Sequence, residues 1–314
     1  MTGNGDSNLL YLSRAEVAGL LPPIPEQIDL VEGTYRAVAA GRVELPPKPG
    51  IHPRTDAFIH AMPAYLRDED VAALKWIAGY PANPQRGLPY INGLIVLNDP
   101  ETGVPVCVMD GAEITAARTA AASGVCVRRF APSGWTKAAI LGCGEQGRFH
   151  ARVLSELNTG AHIRAYDPLS ERIGTLEGNV TACSDPREAV EGAEVVVTAG
   201  PIAENPDSPL SAGWLGERWL ALPLDFDFYF QAEAIEAAEL FVVDDVGQFE
   251  HYRDLGHFQE WPAPAGSVGG ALDDTGEPSR VACVNLGIGA LDAAFAKRVF
   301  DAARTRDIGV LLPR

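Results

Sequence analysis

The chain has 314 residues, 46% of them apolar and 21% charged, a composition typical of soluble globular proteins and a length that allows two domains with real cores. Its formal net charge of −17 argues against a nucleic-acid backbone or an anionic membrane as partner, but leaves room for a small acidic ligand in a local basic pocket. No apolar run approaches the about 20 residues of a membrane span, and MTGNGDSNLL lacks the basic and apolar segments of a secretory leader, so a cytoplasmic protein is expected.

In chain order, Ser13 and Glu16 form a candidate capping box, followed by a segment in which Ile28, Val31, Tyr35 and Val38 recur at helical spacing and Gly41 provides a stop. The stretch ELPPKPGIHPR (44 to 54) is broken by proline and reads as extended. FIHAMPAYL (58 to 66) and VAALKWIAGY (71 to 80) read as strands. INGLIVLNDPETGVPVCVMDG (91 to 111) reads as a hairpin, with DPETG as its turn cluster. The alanine-rich run ITAARTAAASGVCVRRFA (114 to 131) reads as a long helix packed closely on another backbone.

The texture then changes. TKAAILGCGEQGRFHARVLSEL (136 to 157) is a strand, a glycine turn and a helix, and further strands are expected at 162–168, 193–200, 219–226 and 238–245. Strands alternating with helical segments point to βαβ units and a parallel sheet. PIAENPDSP (201 to 209) and PAPAGSVGGALDDTGEP (262 to 278) read as loops, the second as a candidate flap. Cys107, Cys126, Cys143, Cys183 and Cys283 are odd in number, and no pair has metal-site or C-x-x-C spacing. Buried free thiols in a reducing compartment are expected, and no metal site.

Gly142, Gly144 and Gly147 have G-x-G-x-x-G spacing between the predicted strand and helix. The first permits the tight turn, the second lets the backbone approach a pyrophosphate, and the third lets the helix pack on the strand. Glu145 and Gln146, inside this turn, join them as candidate cofactor contacts. Asp167 follows Gly142 by 25 residues, near the expected spacing for an acid that accepts the ribose hydroxyls. A carboxylate there repels a 2′-phosphate, so NAD is favoured over NADP, although Arg164 and Arg172 lie nearby. Thr198, at the end of a predicted strand, is expected on the nicotinamide side of the same crevice, with a plain loop threonine as the alternative.

Three cations stand out. Lys75 shares one strand face with Val71, Ala73 and Ile77; if that face is buried, the ammonium must pair with an acid or receive an anion. Arg118 is the only charge between Ile114 and Val127. If the helix begins near Thr115, Arg118 lies in the first turn beside free N–H groups and joins them around an anion; if Asp110 and Glu113 cap the helix, that argument weakens. Lys48 sits in the preceding extended segment. Three cations on separate elements suit one small carboxylate, and the alternative is that Lys75 and Arg118 pair with acids of the protein itself. Asp225 and Asp227 follow an apolar strand, two residues apart and read as sharing one face; either could exchange a proton beside a transferred hydride, and at least one is expected to cap the following turn. His52 and His60 read as structural.

The stretches LKWIAGYPANPQRGLPYINGLIVLNDPETGVPVCVMDG, ITAARTAAASG, ILGCGEQGRFHARVL and VNLGIGALDAA together resemble the ornithine cyclodeaminase/μ-crystallin family, over about residues 11 to 305. The resemblance implies a Rossmann-type doubly wound parallel sheet plus a smaller α+β substrate and dimerisation domain, and a homodimer. It implies that Lys75 and Arg118 contact an amino-acid carboxylate, with Lys48 as the basic residue of the extended segment, and that Gly287 packs near the nicotinamide. The family's G-(A/S)-D-x-P context for its catalytic aspartate is replaced here by LPLDFDFYF, which leaves Asp225 and Asp227 both open. The expected domains are 1–115 with 300–314, for substrate binding and dimerisation, and 116–299, for NAD. The expected activity is an NAD(H)-dependent imino-acid reductase or amino-acid dehydrogenase. The alternatives are an ornithine cyclodeaminase with catalytic NAD, or a μ-crystallin-like ligand-binding protein with secondary redox activity.

Overall fold

The computed structural model describes residues 8–202 and 206–314; most of the N-terminal stretch read for a leader, and three residues of the PIAENPDSP loop, lie outside it. The chain forms two compact units. One comprises the described residues up to Arg118 together with Ile288–Arg314, and the other is Thr119–Gly287. The division differs from the expected 115/116 and 299/300, because the last long helix packs on strands of the first unit.

The first unit opens with β1 (Asn8–Leu12), α1 (Arg14–Leu20) and α2 (Ile24–Ala39). The expected capping box is present: Glu16 Oε2 accepts from the Ser13 N–H at 2.7 Å. Two helices form here, because Pro22 and Pro23 cannot donate to an α-helical ladder. Then come β2 (Val43–Glu44), β3 (Gly50–Arg54), β4 (Ala57–Leu66), β5 (Val71–Gly79), β6 (Ile91–Asn98), β7 (Pro105–Asp110) and α3 (Ala112–Phe130), which runs from the first unit into the second.

The second unit contains β8 (Lys137–Leu141), α4 (Glu145–Leu157), β9 (His162–Tyr166), β10 (Val180–Ala182), α5 (Pro186–Val190), β11 (Val195–Thr198), β12 (Trp219–Pro223), α6 (Ala232–Glu236), β13 (Leu240–Val243), α7 (Val246–Asp254), β14 (Gly266–Ser267), α8 (Val268–Ala271) and β15 (Arg280–Val284). The chain returns to the first unit with α9 (Gly289–Arg306) and β16 (Val310–Pro313).

The first sheet runs β16-β1-β7-β6-β5-β4-β2, with β3 also paired to β4. All its pairs are antiparallel except β1 with β7. Strand alternation sends Val71, Ala73, Lys75 and Ile77 of β5 to a buried face, with Met62 and Ile95 opposite Lys75 on the flanking strands. Helix α9 packs along β5, β4 and β6. A Cβ on Gly289 would lie 2.9 Å from the Met62 carbonyl oxygen, so the glycine lets the helix start close against β4.

The second sheet is parallel throughout, in the order β10-β9-β8-β11-β12-β15-β13-β14. This is the expected Rossmann-type α/β architecture. Strand order reverses between β8 and β11, and in such sheets ligands bind at the carboxyl ends of the strands flanking that reversal. Two expectations change here. The segment 262–278 is not wholly loop: it contains β14 and α8, and the Ala265 N–H donates to the Phe241 carbonyl at 2.7 Å, so its middle is tied to the sheet edge. Strands β10 and β15 were not anticipated; β15 is the apolar run RVACV, buried between β12 and β13.

Candidate active site

In the first unit a buried ion cluster gathers around Asp292, in the first turn of α9. The Lys75 ammonium lies 2.7 Å from Asp292 Oδ2, and Arg118 Nε donates to Asp292 Oδ1 at 3.1 Å. Lys75 Nζ also donates to the Thr115 hydroxyl at 3.2 Å, which in turn donates to the Gly111 carbonyl at 2.7 Å. Lys75 and Asp292 are each 1% exposed and Arg118 is 6% exposed. Among the described residues, Arg118 bonds to Asp292 through Nε only, which leaves the two Nη groups as an open fork. Burial pushes the Lys75 ammonium down to about 8; the Asp292 charge works against that shift and the Arg118 charge with it.

The buried face expected for Lys75 is therefore observed, and so is the competing expectation of pairing with an acid of the protein. The two cations share one carboxylate, however, so the fully ionised cluster keeps one positive charge. Helix α3 begins at Ala112, and the Glu113 N–H donates to Asp110 Oδ1 at 3.0 Å. The capping alternative is the one observed. Arg118 is in the second turn, beyond the free N–H groups of the helix terminus. Lys48 lies half-buried between β2 and β3. The neighbouring Pro49 carbonyl accepts from the Ala61 N–H at 3.0 Å, which ties this segment to β4.

In the second unit the turn after β8 has the geometry of a dinucleotide cradle. Gly142 has φ +95°, and a Cβ there would lie 2.4 Å from the Ala199 carbonyl oxygen. A Cβ on Gly147 would lie 2.3 Å from the Gly142 carbonyl oxygen, so the third glycine is needed for helix-on-turn packing. A Cβ on Gly144 would meet nothing within 4 Å: this position faces open space, as approach to a pyrophosphate requires. No side chain caps α4, whose N-cap is Gly144, and Gln146 Oε1 is a buried acceptor without a hydrogen-bond partner. Glu145 is the first residue of α4 and half-buried. Asp167 follows β9; its carboxylate accepts from the Cys143 N–H (2.8 Å) and the Leu169 N–H (2.8 Å). Arg172 stands 3.9 Å from Asp167, while Arg164 donates to the Glu191 carbonyl. These residues fit a dinucleotide.

Thr198 ends β11, next to β8, but its hydroxyl is buried and donates to Asp225 Oδ1 at 2.6 Å. The Gly200 N–H donates to Asp225 Oδ2 at 2.7 Å. Burial pushes the Asp225 carboxyl up to about 7, against the lowering effect of these two bonds. Asp227 points elsewhere: it accepts from the Phe258 N–H at 3.0 Å and lies 3.6 Å from His257 Nδ1. Burial raises its carboxyl, but these partners outweigh burial and hold it below the usual range. The expected common face is absent because β12 ends at Pro223 and Phe226 has φ +61°, which turns the chain between the two aspartates. Gly287 is held by its N–H to Asp244 Oδ2 at 2.7 Å, and its carbonyl accepts from Gln248 Nε2 at 3.1 Å.

Sequence reasoning missed Asp292 and Thr115. Asp292 carried the same signal as Lys75: it is the only charged residue between Val281 and Ala296, in an otherwise apolar helical stretch. His60 stacks on Phe58 with ring centroids 4.4 Å apart, and all five cysteines are free and buried.

A buried basic cluster on an α+β unit, with a glycine cradle at the switch point of a parallel sheet, defines a two-unit α/β protein of the Rossmann type. Known proteins are similar to this chain in sequence and in fold. The chain is 37% identical over 320 residues to the nodulation efficiency protein NfeD of Rhizobium meliloti, covering 96% of this chain and 98% of that one. In structure it is similar to the Δ1-pyrroline-2-carboxylate reductase of Thermococcus litoralis, solved with NADH and L-proline (TM-score 0.83, 25% identity, 96% and 99% of the two chains). It is also similar to an archaeal alanine dehydrogenase dimer solved with NAD (TM-score 0.84, 25% identity, 97% and 99%). The chain belongs to the ornithine cyclodeaminase/mu-crystallin family, whose model matches residues 9–224.

Proposed function

We infer that this protein is an NAD(H)-dependent oxidoreductase acting on the CH–NH2 or C=N group of a small amino or imino acid. The observation that carries this reading is the buried cluster in which two cations share one carboxylate and the Arg118 fork stays open, a receptor for one further carboxylate. Lys75 and Arg118 hold the substrate α-carboxylate and so fix the orientation of Cα. Gly142, Gly144 and Gly147 with the start of α4 hold the pyrophosphate, and Asp167 accepts the ribose hydroxyls. The nicotinamide, when bound, supplies or accepts the hydride. Of the two aspartates, Asp225 is the better candidate for moving a proton, because its carboxyl titrates near neutrality while Asp227 is held ionised.

The test is turnover of small 2-oxo acids with ammonia or methylamine, followed by NADH absorbance. Consumption of NADH is the expected result. Conversion of ornithine to proline with no net change in NADH would instead make the protein a cyclodeaminase, and binding without turnover would make it a ligand-binding member of the family.

The homodimer is part of the same reading. The outer face of the first sheet exposes Trp76 (46%) and Leu94 (44%), which pair across β5 and β6, and Ile51, Tyr11 and the β16 residues Val310, Leu311 and Leu312 are exposed as well. Apolar surface of this extent suits a second copy, and the similar alanine dehydrogenase is a dimer. Sedimentation at micromolar concentration should give twice the chain mass. Among the described residues, no helix is long and apolar enough to cross a membrane. Five reduced, buried thiols suit the cytoplasm.

A further inference from the structure

We propose that Asp292 is a positioning residue for substrate binding: its carboxylate aims the Lys75 ammonium and the Arg118 guanidinium and cancels one of their two charges, leaving the cluster with the single positive charge that one substrate carboxylate neutralises. The inference rests on the reading of Lys75 and Arg118 as the carboxylate receptor. Each Asp292 oxygen faces a different cation, Oδ2 in an ion pair with Lys75 at 2.7 Å and Oδ1 accepting from Arg118 Nε at 3.1 Å, so neither cation can turn away without losing its contact with the carboxylate. Asp292 cannot move off readily, because it lies in the first turn of an 18-residue helix and is 1% exposed.

Charge bookkeeping explains why one acid is needed. Two buried cations without a counterion would repel each other and lose hydration, and Lys75 would shed its proton. Two acids would neutralise the cluster and leave nothing for a ligand. Around Lys75 the groups are Asp292 from α9, Arg118 and the Thr115 hydroxyl from α3, and Met62 and Ile95 from β4 and β6; His60 shares the Met62 face of β4, opposite Ile77. Glu113, the other acid at the start of α3, is paired with Arg14 at 3.0 Å. Asp292 thus sets the pH range over which Lys75 is charged and able to hold an anion.

The experiment measures pyruvate binding to the NADH-loaded protein by calorimetry across pH, for wild type and Asp292→Asn. In wild type, binding should weaken as pH rises through about 8, where Lys75 loses its proton. In Asp292→Asn that limb should move down by about one unit, so that pyruvate binds roughly fivefold more weakly at the wild-type midpoint, with NADH affinity unchanged. An unmoved limb in Asp292→Asn would overturn the role of Asp292 and leave the receptor intact. Failure of wild type to bind pyruvate at any pH would remove the receptor itself, and the inference with it. Should Asp292→Asn not fold, Lys75→Met/Asp292→Asn removes both charges and keeps Arg118. Its binding should be flat between about pH 6 and 10, and a limb persisting near 8 would overturn the proposal.

Discussion

In the second unit, the cradle after β8 is made by consecutive residues, Gly142 to Gly147, and its shape follows from which positions lack a Cβ. In the first unit, the basic cluster joins β5, α3 and α9, and Arg118 meets Asp292 across 174 positions of chain. One site is local backbone geometry. The other is long-range electrostatics, in which the Lys75 charge depends on Asp292 and Arg118. Changes to the cradle should therefore act on one ligand and one turn, whereas changes to the cluster should spread through all its charges.

The largest effect expected is from Lys75→Ala. It removes the ammonium and leaves Asp292 with Arg118 alone, a neutral pair with no charge to spare for a substrate. The value of kcat/KM should fall on the order of a thousandfold, about 4 kcal/mol, while NADH affinity measured by fluorescence titration stays the same. Loss of NADH binding with little change in turnover would show that Lys75 serves the cradle and erase the contrast between the regions.

Next in size is a pH effect on the support of the cradle. His150, on α4, donates from Nδ1 to the Gln146 carbonyl at 2.8 Å and accepts at Nε2 from the Ser123 hydroxyl at 2.9 Å. Burial pushes its pKa down from 6.5 to about 4, with the Gln146 bond opposing. A lowered folded-state pKa means that the neutral ring stabilises the fold above pH 6.5, and that this stability is lost as pH falls through about 4. The unfolding free energy should drop by roughly 3 kcal/mol over that interval, and His150→Gln should flatten the slope. Equal slopes in urea titrations of the two proteins would show that the ring is already charged in the native state.

A smaller effect separates the glycines. Gly144→Ala should leave the melting temperature unchanged, since a Cβ there meets nothing within 4 Å, yet weaken NADH by about tenfold to thirtyfold by filling the approach to the pyrophosphate. Gly142→Ala should instead destabilise the protein, because its Cβ would overlap the Ala199 carbonyl at a φ of +95°. If both behaved alike, the cradle could not be a backbone template. The smallest change expected is from Asp167→Ala. NADH should weaken and NADPH improve, shifting the preference by about tenfold or less, since Asp167 also holds the Cys143 and Leu169 N–H groups. An unchanged preference would remove Asp167 from the ribose site.

The sequence determined much of this protein by itself. Strand alternation put Lys75 on the buried face of β5, glycine spacing marked the turn after β8, and the alternation of strands and helices foretold a parallel sheet. These features depend on near neighbours along the chain, whose geometry is set by periods of two or 3.6 residues and by single φ values. Tertiary structure alone decided what Lys75 and Arg118 face, that α9 belongs to the first unit, and that Asp225 and Asp227 diverge around Phe226. The physical reason is range: the partner of a buried charge is chosen by the packing of distant elements, and no local spacing records which acid will arrive.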